Sequence, residues 1–112
     1  MKDTLYVLRA GFTDQTTAFF CPYSAQVIGF LAYYPHVKDS LEIVEIDFPK
    51  PRHPLSDVLG DDHQSAPMLV LGGEPTPVPN VNRQVSNGHH FVEKTIEILR
   101  YLAATRSVPG PH

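Results

Sequence analysis

The sequence predicts a single α/β domain with a mixed sheet of about four strands and helices on both of its faces. The chain has 112 residues, which suits one hydrophobic core rather than two. Hydrophobic residues make up 42% of it and charged residues 19%, a balance typical of a folded domain rather than a disordered chain. From the N-terminus, a β-prone segment, a helical segment and a second β-prone segment follow one another, which is the pattern of a βαβ unit.

The first half of the chain supplies this βαβ unit. Residues 4–9 are apolar and β-prone and predict a buried strand, whereas residues 10–20 predict a loop. Pro22 suits the first turn of a helix, and the step Tyr34-Pro35 ends that helix, because the residue before a proline avoids helical geometry. Residues 41–48 form the next strand, which we expect to run parallel to the first because a helix connects them.

The second half predicts shorter elements between proline-rich stretches. We expect a short helix at residues 54–59, a strand at 67–71, a proline-rich loop at 74–82 and a short strand at 83–86. Residues 91–104 show an apolar stripe at helical spacing and predict the last helix. The domain would therefore span residues 1–106, followed by a tail at 107–112.

Charge and hydropathy exclude some function classes. Nine Lys and Arg stand against twelve Asp and Glu, a net charge of −3, which argues against a nucleic-acid partner bound through a broad basic surface. No apolar stretch approaches the roughly 18 residues that span a bilayer, so we expect no membrane partner. The N-terminus shows no long apolar signal core, and we therefore expect a cytoplasmic protein.

Cys21 is the only cysteine in the sequence. A single thiol excludes an internal disulfide and a multi-cysteine zinc site within the chain. Three possibilities stay open: an inert buried thiol, an intermolecular disulfide, or a reactive nucleophile.

The neighbours of Cys21 favour a reactive thiol. In Cys21-Pro22-Tyr23-Ser24 the cysteine would cap the helix, with the free N–H groups of Tyr23 and Ser24 directed at its sulfur. Cysteines in such positions titrate between about 3.5 and 7.5 instead of about 8.5. The Ser24 hydroxyl could donate a hydrogen bond to the sulfur. Since serine cannot resolve a disulfide, any redox reaction would use one thiol.

This motif resembles the active site of glutaredoxins with the second cysteine replaced by serine. The order of predicted elements is similar to the thioredoxin-like fold, and the step Ser65-Ala66-Pro67 resembles the segment that carries its cis-proline. Over nearly its whole length the chain resembles a small bacterial family of thioredoxin-like proteins known only as a domain of unknown function. That likeness is carried by a leucine-rich first strand, the segments Gln64-Ser65-Ala66-Pro67 and Tyr101-Leu102-Ala103, and the ending Pro109-Gly110-Pro111-His112.

The resemblance implies roles for particular residues. Cys21 corresponds to the nucleophile, Pro67 to the cis-proline, and Ala66 to the residue whose backbone pairs with bound glutathione. Tyr23 would cap the core edge, shield the sulfur or stack on a substrate. The segment Ser86, Asn87 and Gly88 would lie at the start of the last helix and hold the γ-glutamyl carboxylate of glutathione, since free N–H groups at a helix start suit an anion.

No metal site is expected. The adjacent residues His89 and His90 would point about 100° apart on a helix, so they lack the spacing of a ligand pair. Monothiol glutaredoxins that share an iron–sulfur cluster typically carry Cys-Gly-Phe-Ser rather than the motif present here. We therefore expect glutathione as the only cofactor, in the role of a co-substrate.

Two functions are compatible with these patterns. The first is a glutaredoxin-like monothiol oxidoreductase or glutathione-handling protein, whose partner would be glutathione or a glutathionylated protein. The second is a non-catalytic binding module of the same fold. It is favoured by the missing second cysteine, by the absence of a basic residue at positions 10–20 and by the long proline-rich insertion at 74–82. The oligomeric state is not predicted.

Overall fold

A computed structural model describes all 112 residues. The strands are β1 (Asp3–Leu8), β2 (Phe12–Asp14), β3 (Thr17–Phe19), β4 (Leu41–Ile46), β5 (Met68–Val70), β6 (Gln84–Ser86) and β7 (His89–Val92). The helices are α1 (Pro22–Tyr33), α2 (Pro35–Asp39), α3 (Leu55–Leu59) and α4 (Thr95–Arg106). None of these helices has both the length and the apolar character needed to cross a membrane.

The main sheet is mixed and has five strands in the order β4-β1-β5-β7-β6. β1 and β4 are parallel, with Leu5 opposite Ile43, as the connecting helix predicts. β5 is antiparallel to β1, and β7 is antiparallel to both β5 and β6. The α/β class is confirmed, and the sheet has one strand more than the four predicted.

The hydrophobic core of the domain consists of two clusters of buried side chains, one on each face of the sheet, because successive strand residues point to opposite sides. Leu5 and Val7 of β1 pack with α1, α2 and α4, whereas Tyr6 and Leu8 pack with α3. Burial of these two sets of side chains holds helices on both faces, as expected.

The predicted loop before Cys21 contains a β-hairpin instead. β2 and β3 pair with each other in a separate two-stranded sheet, with Phe12 opposite Phe19. Gln15 and Thr16 form the turn with φ values of 49° and 69°. The sequence prediction missed this hairpin because left-handed turn positions are usually marked by Gly, Asn or Asp, and neither residue here is of these types.

The prediction that the last helix begins near residue 91 is wrong. Phe91 belongs to β7, where it pairs with Val70 on one side and Gln84 on the other, and α4 begins only at Thr95. The turn Asn87-Gly88, with φ values of 50° and 75°, joins β6 to β7. An Asn-Gly pair favours such a tight hairpin turn, and the resulting strand pairing outweighs the helical spacing of residues 91–94.

The two chain ends lie close to each other at one end of the molecule. Asp3 of β1 forms an ion pair with Arg106 of α4, with 3.1 Å between its Oδ2 and the Arg106 Nη2. Residues 109–111 of the tail lie beside Gly29 and Phe30 of α1. The tail is therefore laid along the helix that begins at the cysteine.

Candidate functional site

Cys21 lies at the N-cap of α1, as the sequence predicts. Its backbone is extended, with φ −82° and ψ 115°, and Pro22 occupies the first turn. The backbone N–H of Ser24 donates to the Sγ of Cys21 over 3.4 Å. The first turn of α1 contains no acidic side chain, so nothing in that turn offsets the positive end of the helix dipole.

The Ser24 hydroxyl does not contact the thiol, contrary to the expectation from the sequence. Ser24 is 2% exposed, and its Oγ accepts a hydrogen bond of 3.1 Å from the backbone N–H of Leu8. The side chain therefore ties α1 to the end of β1, while the backbone of the same residue contacts the sulfur. Ser24 is a structural residue of the site in this arrangement.

Ala66 and Pro67 lie on the other side of the sulfur. The Ala66–Pro67 peptide bond is cis, as the resemblance implies. The carbonyl oxygen of Ala66 is 3.8 Å from the Cys21 Sγ, so the thiol form can donate a weak hydrogen bond to it. The start of β5 and the start of α1 thus meet at the thiol.

The thiol is partly open to solvent and lies next to exposed aromatic side chains. Cys21 has intermediate exposure. Its neighbours in the chain are more open, since Phe19 is 47% exposed, Phe20 63% and Tyr23 58%. Because Cys21 keeps intermediate exposure beside them, none of these three rings seals the sulfur from solvent.

Arg52 is a site residue that the sequence prediction missed. Its Nε donates to the carbonyl oxygen of Phe48 over 2.7 Å and its Nη1 to that of Gln64 over 3.0 Å. Burial lowers the pKa of the Arg52 guanidinium, while negative charge on Cys21 raises it, so the two groups interact electrostatically. No local signal could have revealed this cation, because it comes from the proline-rich segment after β4 rather than from the residues before the motif.

The segment Ser86-Asn87-Gly88 lies at the other end of the sheet from the thiol. Val92, at the end of β7, pairs with Leu69 near the start of β5, and therefore lies near Pro67. His89 is three residues, or roughly 10 Å, further from that end. The Ser86 Oγ donates to the carbonyl oxygen of Leu59 over 2.6 Å. This segment does not open a helix, so the argument for an anion site from free helix N–H groups does not apply to it.

Glu93 occupies the position near the thiol that the sequence prediction gave to that segment. It follows β7 directly, and its Oε1 is 3.4 Å from the Ser65 Oγ, one residue before Ala66. Its Oε2 accepts a hydrogen bond of 3.1 Å from the Gln84 Nε2. A carboxylate therefore lies on the rim of the site, and placing it required the strand register of β7.

The remaining polar side chains form neither a metal-binding group nor a Ser-His-Asp relay. No group of three or more His, Cys, Asp or Glu side chains could hold a metal ion. His53, Ser56 and Asp57 lie together, but Asp57 Oδ2 and Ser56 Oγ both contact the same ring nitrogen, Nδ1 of His53, at 3.0 and 3.2 Å. A relay of the Ser-His-Asp type needs both ring nitrogens, so this cluster is not one.

Comparison with known proteins gives one match. The sequence model of a family described as a protein of unknown function (DUF3088) matches residues 2–110. No curated protein and no solved structure matches the chain.

Proposed function

The chain belongs to the DUF3088 family, and we propose that it acts as a monothiol thiol–disulfide oxidoreductase with a thioredoxin-like fold. Glutathione is the co-substrate in this proposal. The support for the fold is the order of elements around the thiol. A helix that connects two parallel strands begins at Cys21, and an antiparallel strand preceded by Pro67 brings Ala66 to the sulfur.

The observation that carries the proposal is the contact between the Ser24 N–H and the Sγ of the partly exposed Cys21. A helix N–H that points at sulfur stabilises the thiolate, both when it attacks and when it later leaves. A cysteine kept only for packing is normally buried in apolar surroundings with no polar contact. Cys21, in contrast, is partly exposed, its sulfur accepts a hydrogen bond from the Ser24 N–H, and it lies at the start of a helix.

The reaction has two exchange steps, because the chain has one thiol. The Cys21 thiolate attacks the glutathionyl sulfur of a protein–glutathione disulfide. The disulfide bond to the protein breaks, the protein thiolate leaves and takes a proton from water, and a Cys21–glutathione disulfide forms. A free glutathione thiolate then attacks the glutathionyl sulfur on Cys21, which releases glutathione disulfide and restores the Cys21 thiolate.

The neighbouring residues have binding roles in this proposal. The backbone of Ala66 would pair with the cysteinyl part of glutathione, since its carbonyl group already faces the sulfur. Pro67 has no N–H and so keeps that side of the groove free of a competing donor. The exposed ring of Tyr23 would contact the substrate.

Turnover of a mixed disulfide tests the proposal. The substrate is a glutathionylated peptide, and its deglutathionylation by free glutathione is followed with and without the protein at pH 7. We expect acceleration by the wild-type chain and none by Cys21→Ser. Equal rates with the wild type and with Cys21→Ser would contradict the proposal.

A non-catalytic binding module is the second candidate, and it is favoured by the exposed rings of Phe19, at the end of the hairpin, and of Phe20, which follows it. Large apolar side chains exposed together commonly mark a contact surface for another protein. Such a module would bind its partner equally well as Cys21→Ser and would lose binding as Phe20→Ser. The turnover assay with the same Cys21→Ser variant separates the two candidates.

A further inference from the structure

Arg52 is a partly desolvated cation without an acidic partner. Its side chain has intermediate exposure, and no carboxylate lies within 4.0 Å of it, whereas Arg9 and Arg106 both form ion pairs. Taking a charge partly out of water costs free energy unless another charge compensates for it. An anion at or beside Arg52 would supply that compensation.

The guanidinium is held in one place from several sides. It lies over the Phe48 ring at 5.2 Å from the ring centre, and that ring stacks on Phe12 of the hairpin at 4.6 Å. The Gln64 side chain accepts a hydrogen bond of 2.7 Å from the Arg52 backbone N–H, and the Gln64 backbone accepts one from the guanidinium. A charge so fixed needs no rearrangement when an anion forms nearby.

The Cys21 sulfur is an anion within electrostatic reach of Arg52, since negative charge on it raises the pKa of the guanidinium. Gln64, which anchors Arg52, is two residues before Ala66, whose carbonyl oxygen is 3.8 Å from the Sγ. The oxygen of that carbonyl carries partial negative charge and can accept a hydrogen bond only from the protonated sulfur, so it offers a thiolate no hydrogen bond. The helix contributes one N–H to the sulfur, so a nearby cation would add to the stabilisation of a thiolate.

We propose that Arg52 is a positioning residue for Cys21, and that its charge both favours the thiolate and draws anionic reagents to it. This inference rests on the proposed function. The residues before the motif supply no positive charge, and the inference assigns that charge to Arg52 in the proline-rich segment after β4. It predicts that Cys21 reacts faster with a disulfide when the half that becomes bonded to Cys21 carries a carboxylate.

The test compares two alkylating reagents that differ in charge. Iodoacetate is an anion and iodoacetamide is neutral, and both modify Cys21 through the same displacement at sulfur. We expect Arg52→Gln to lower the ratio of the two rate constants, iodoacetate over iodoacetamide, by roughly fivefold at low salt. We expect the wild-type ratio to fall as salt is raised from 0.01 to 0.5 M, because ions screen the attraction.

Two further variants separate charge from structure. Arg52→Lys loses the guanidinium contacts as Arg52→Gln does but keeps the charge, so it should retain most of the wild-type ratio. Lys2→Gln removes an exposed cation just before β1, at the opposite end of that strand from the thiol, and should leave the ratio unchanged. If Arg52→Gln does not fold, the ratio for Arg52→Lys is compared with the wild-type ratio. The salt dependence of the wild-type ratio then tests whether the charge of Arg52 acts on the thiol.

The outcomes also separate this inference from the proposed function. A ratio that is the same for the wild type and Arg52→Gln, or that does not depend on salt, overturns the role of Arg52 alone. A thiol that reacts with neither reagent in the folded protein overturns both.

Discussion

The Sγ of Cys21 lies 3.8 Å from the carbonyl oxygen of Ala66, although 45 residues separate them in the chain. The contact joins the start of α1 to the segment that enters β5. The surroundings of the thiol are therefore a property of the folded sheet as well as of the local motif.

Ser24→Ala should weaken the fold without affecting the thiol. The variant leaves the buried N–H of Leu8 without its acceptor, which costs about 1–3 kcal/mol in the free energy of unfolding. The backbone N–H that contacts Cys21 remains, so the iodoacetamide rate at pH 7 should not change. Urea unfolding and alkylation measure the two effects, with Ser107→Ala, at an exposed position after α4, as control. A large drop in alkylation rate in a folded variant would assign the Ser24 hydroxyl to the thiol after all.

Asp3→Asn should lower the free energy of unfolding substantially, although the two side chains have nearly the same shape. Asp3 accepts from Arg106 through Oδ2 and from the backbone N–H of Gly72 through Oδ1, and both side chains of the ion pair are about 15% exposed. Losing the charge of one partner in so buried a pair costs about 3 kcal/mol. Asp47→Asn is the matched control, because its ion pair with Arg9 is exposed and should cost less than about 1 kcal/mol. Equal effects on urea unfolding would refute this account of the ion pair.

Gly72→Ala should be much more damaging than Gly73→Ala. A Cβ at position 72 would overlap the carbonyl group of Lys2 and lie 2.7 Å from the carbonyl oxygen of Met1. The obstacle is backbone, which cannot rotate away, so we expect a loss of about 3 kcal/mol or more. A Cβ at position 73 meets nothing within 4 Å. Thermal unfolding of the two variants gives the comparison, and similar midpoints would show that the N-terminus does not pack against Gly72.

Gly88→Ala should affect stability but not thiol chemistry. Gly88 has a φ of 75° in the hairpin turn, a geometry that costs an alanine about 1–2 kcal/mol. The turn lies at the end of the sheet away from Cys21, so the rate of deglutathionylation should equal that of the wild type. Gly110→Ala in the tail is the control for stability. A selective loss of glutathione turnover would restore this turn as part of the substrate site.

The sequence predicts the site best where the chemistry is local. Pro22 and the apolar spacing behind it place Cys21 at a helix start without any tertiary information. Phe91 shows where such patterns fail, since its residue spacing suits a helix but its partners are the strand residues Val70 and Gln84. Because residues 89–92 form β7, the residue on the rim of the site is Glu93, which follows that strand, rather than Ser86 or Asn87.

Arg52 shows a second limit of local patterns. The charge next to a thiol can come from any element that packs against it. This guanidinium is held by the carbonyl groups of Phe48 and Gln64, and no residue pattern around Arg52 marks either contact. The hairpin at residues 12–19 was also missed from local patterns, because its turn lacks the residue types that usually mark a hairpin turn.

The most direct test of the central claim is the iodoacetamide rate constant of Cys21 at pH 7, measured by intact mass in the folded protein and in a free peptide of residues 19–24. The chain has one cysteine, so every adduct reports on this thiol. If the fold activates Cys21, the folded protein reacts at least tenfold faster than the peptide. A folded protein that reacts at the peptide's rate or more slowly would contradict the claim and identify Cys21 as an inert thiol.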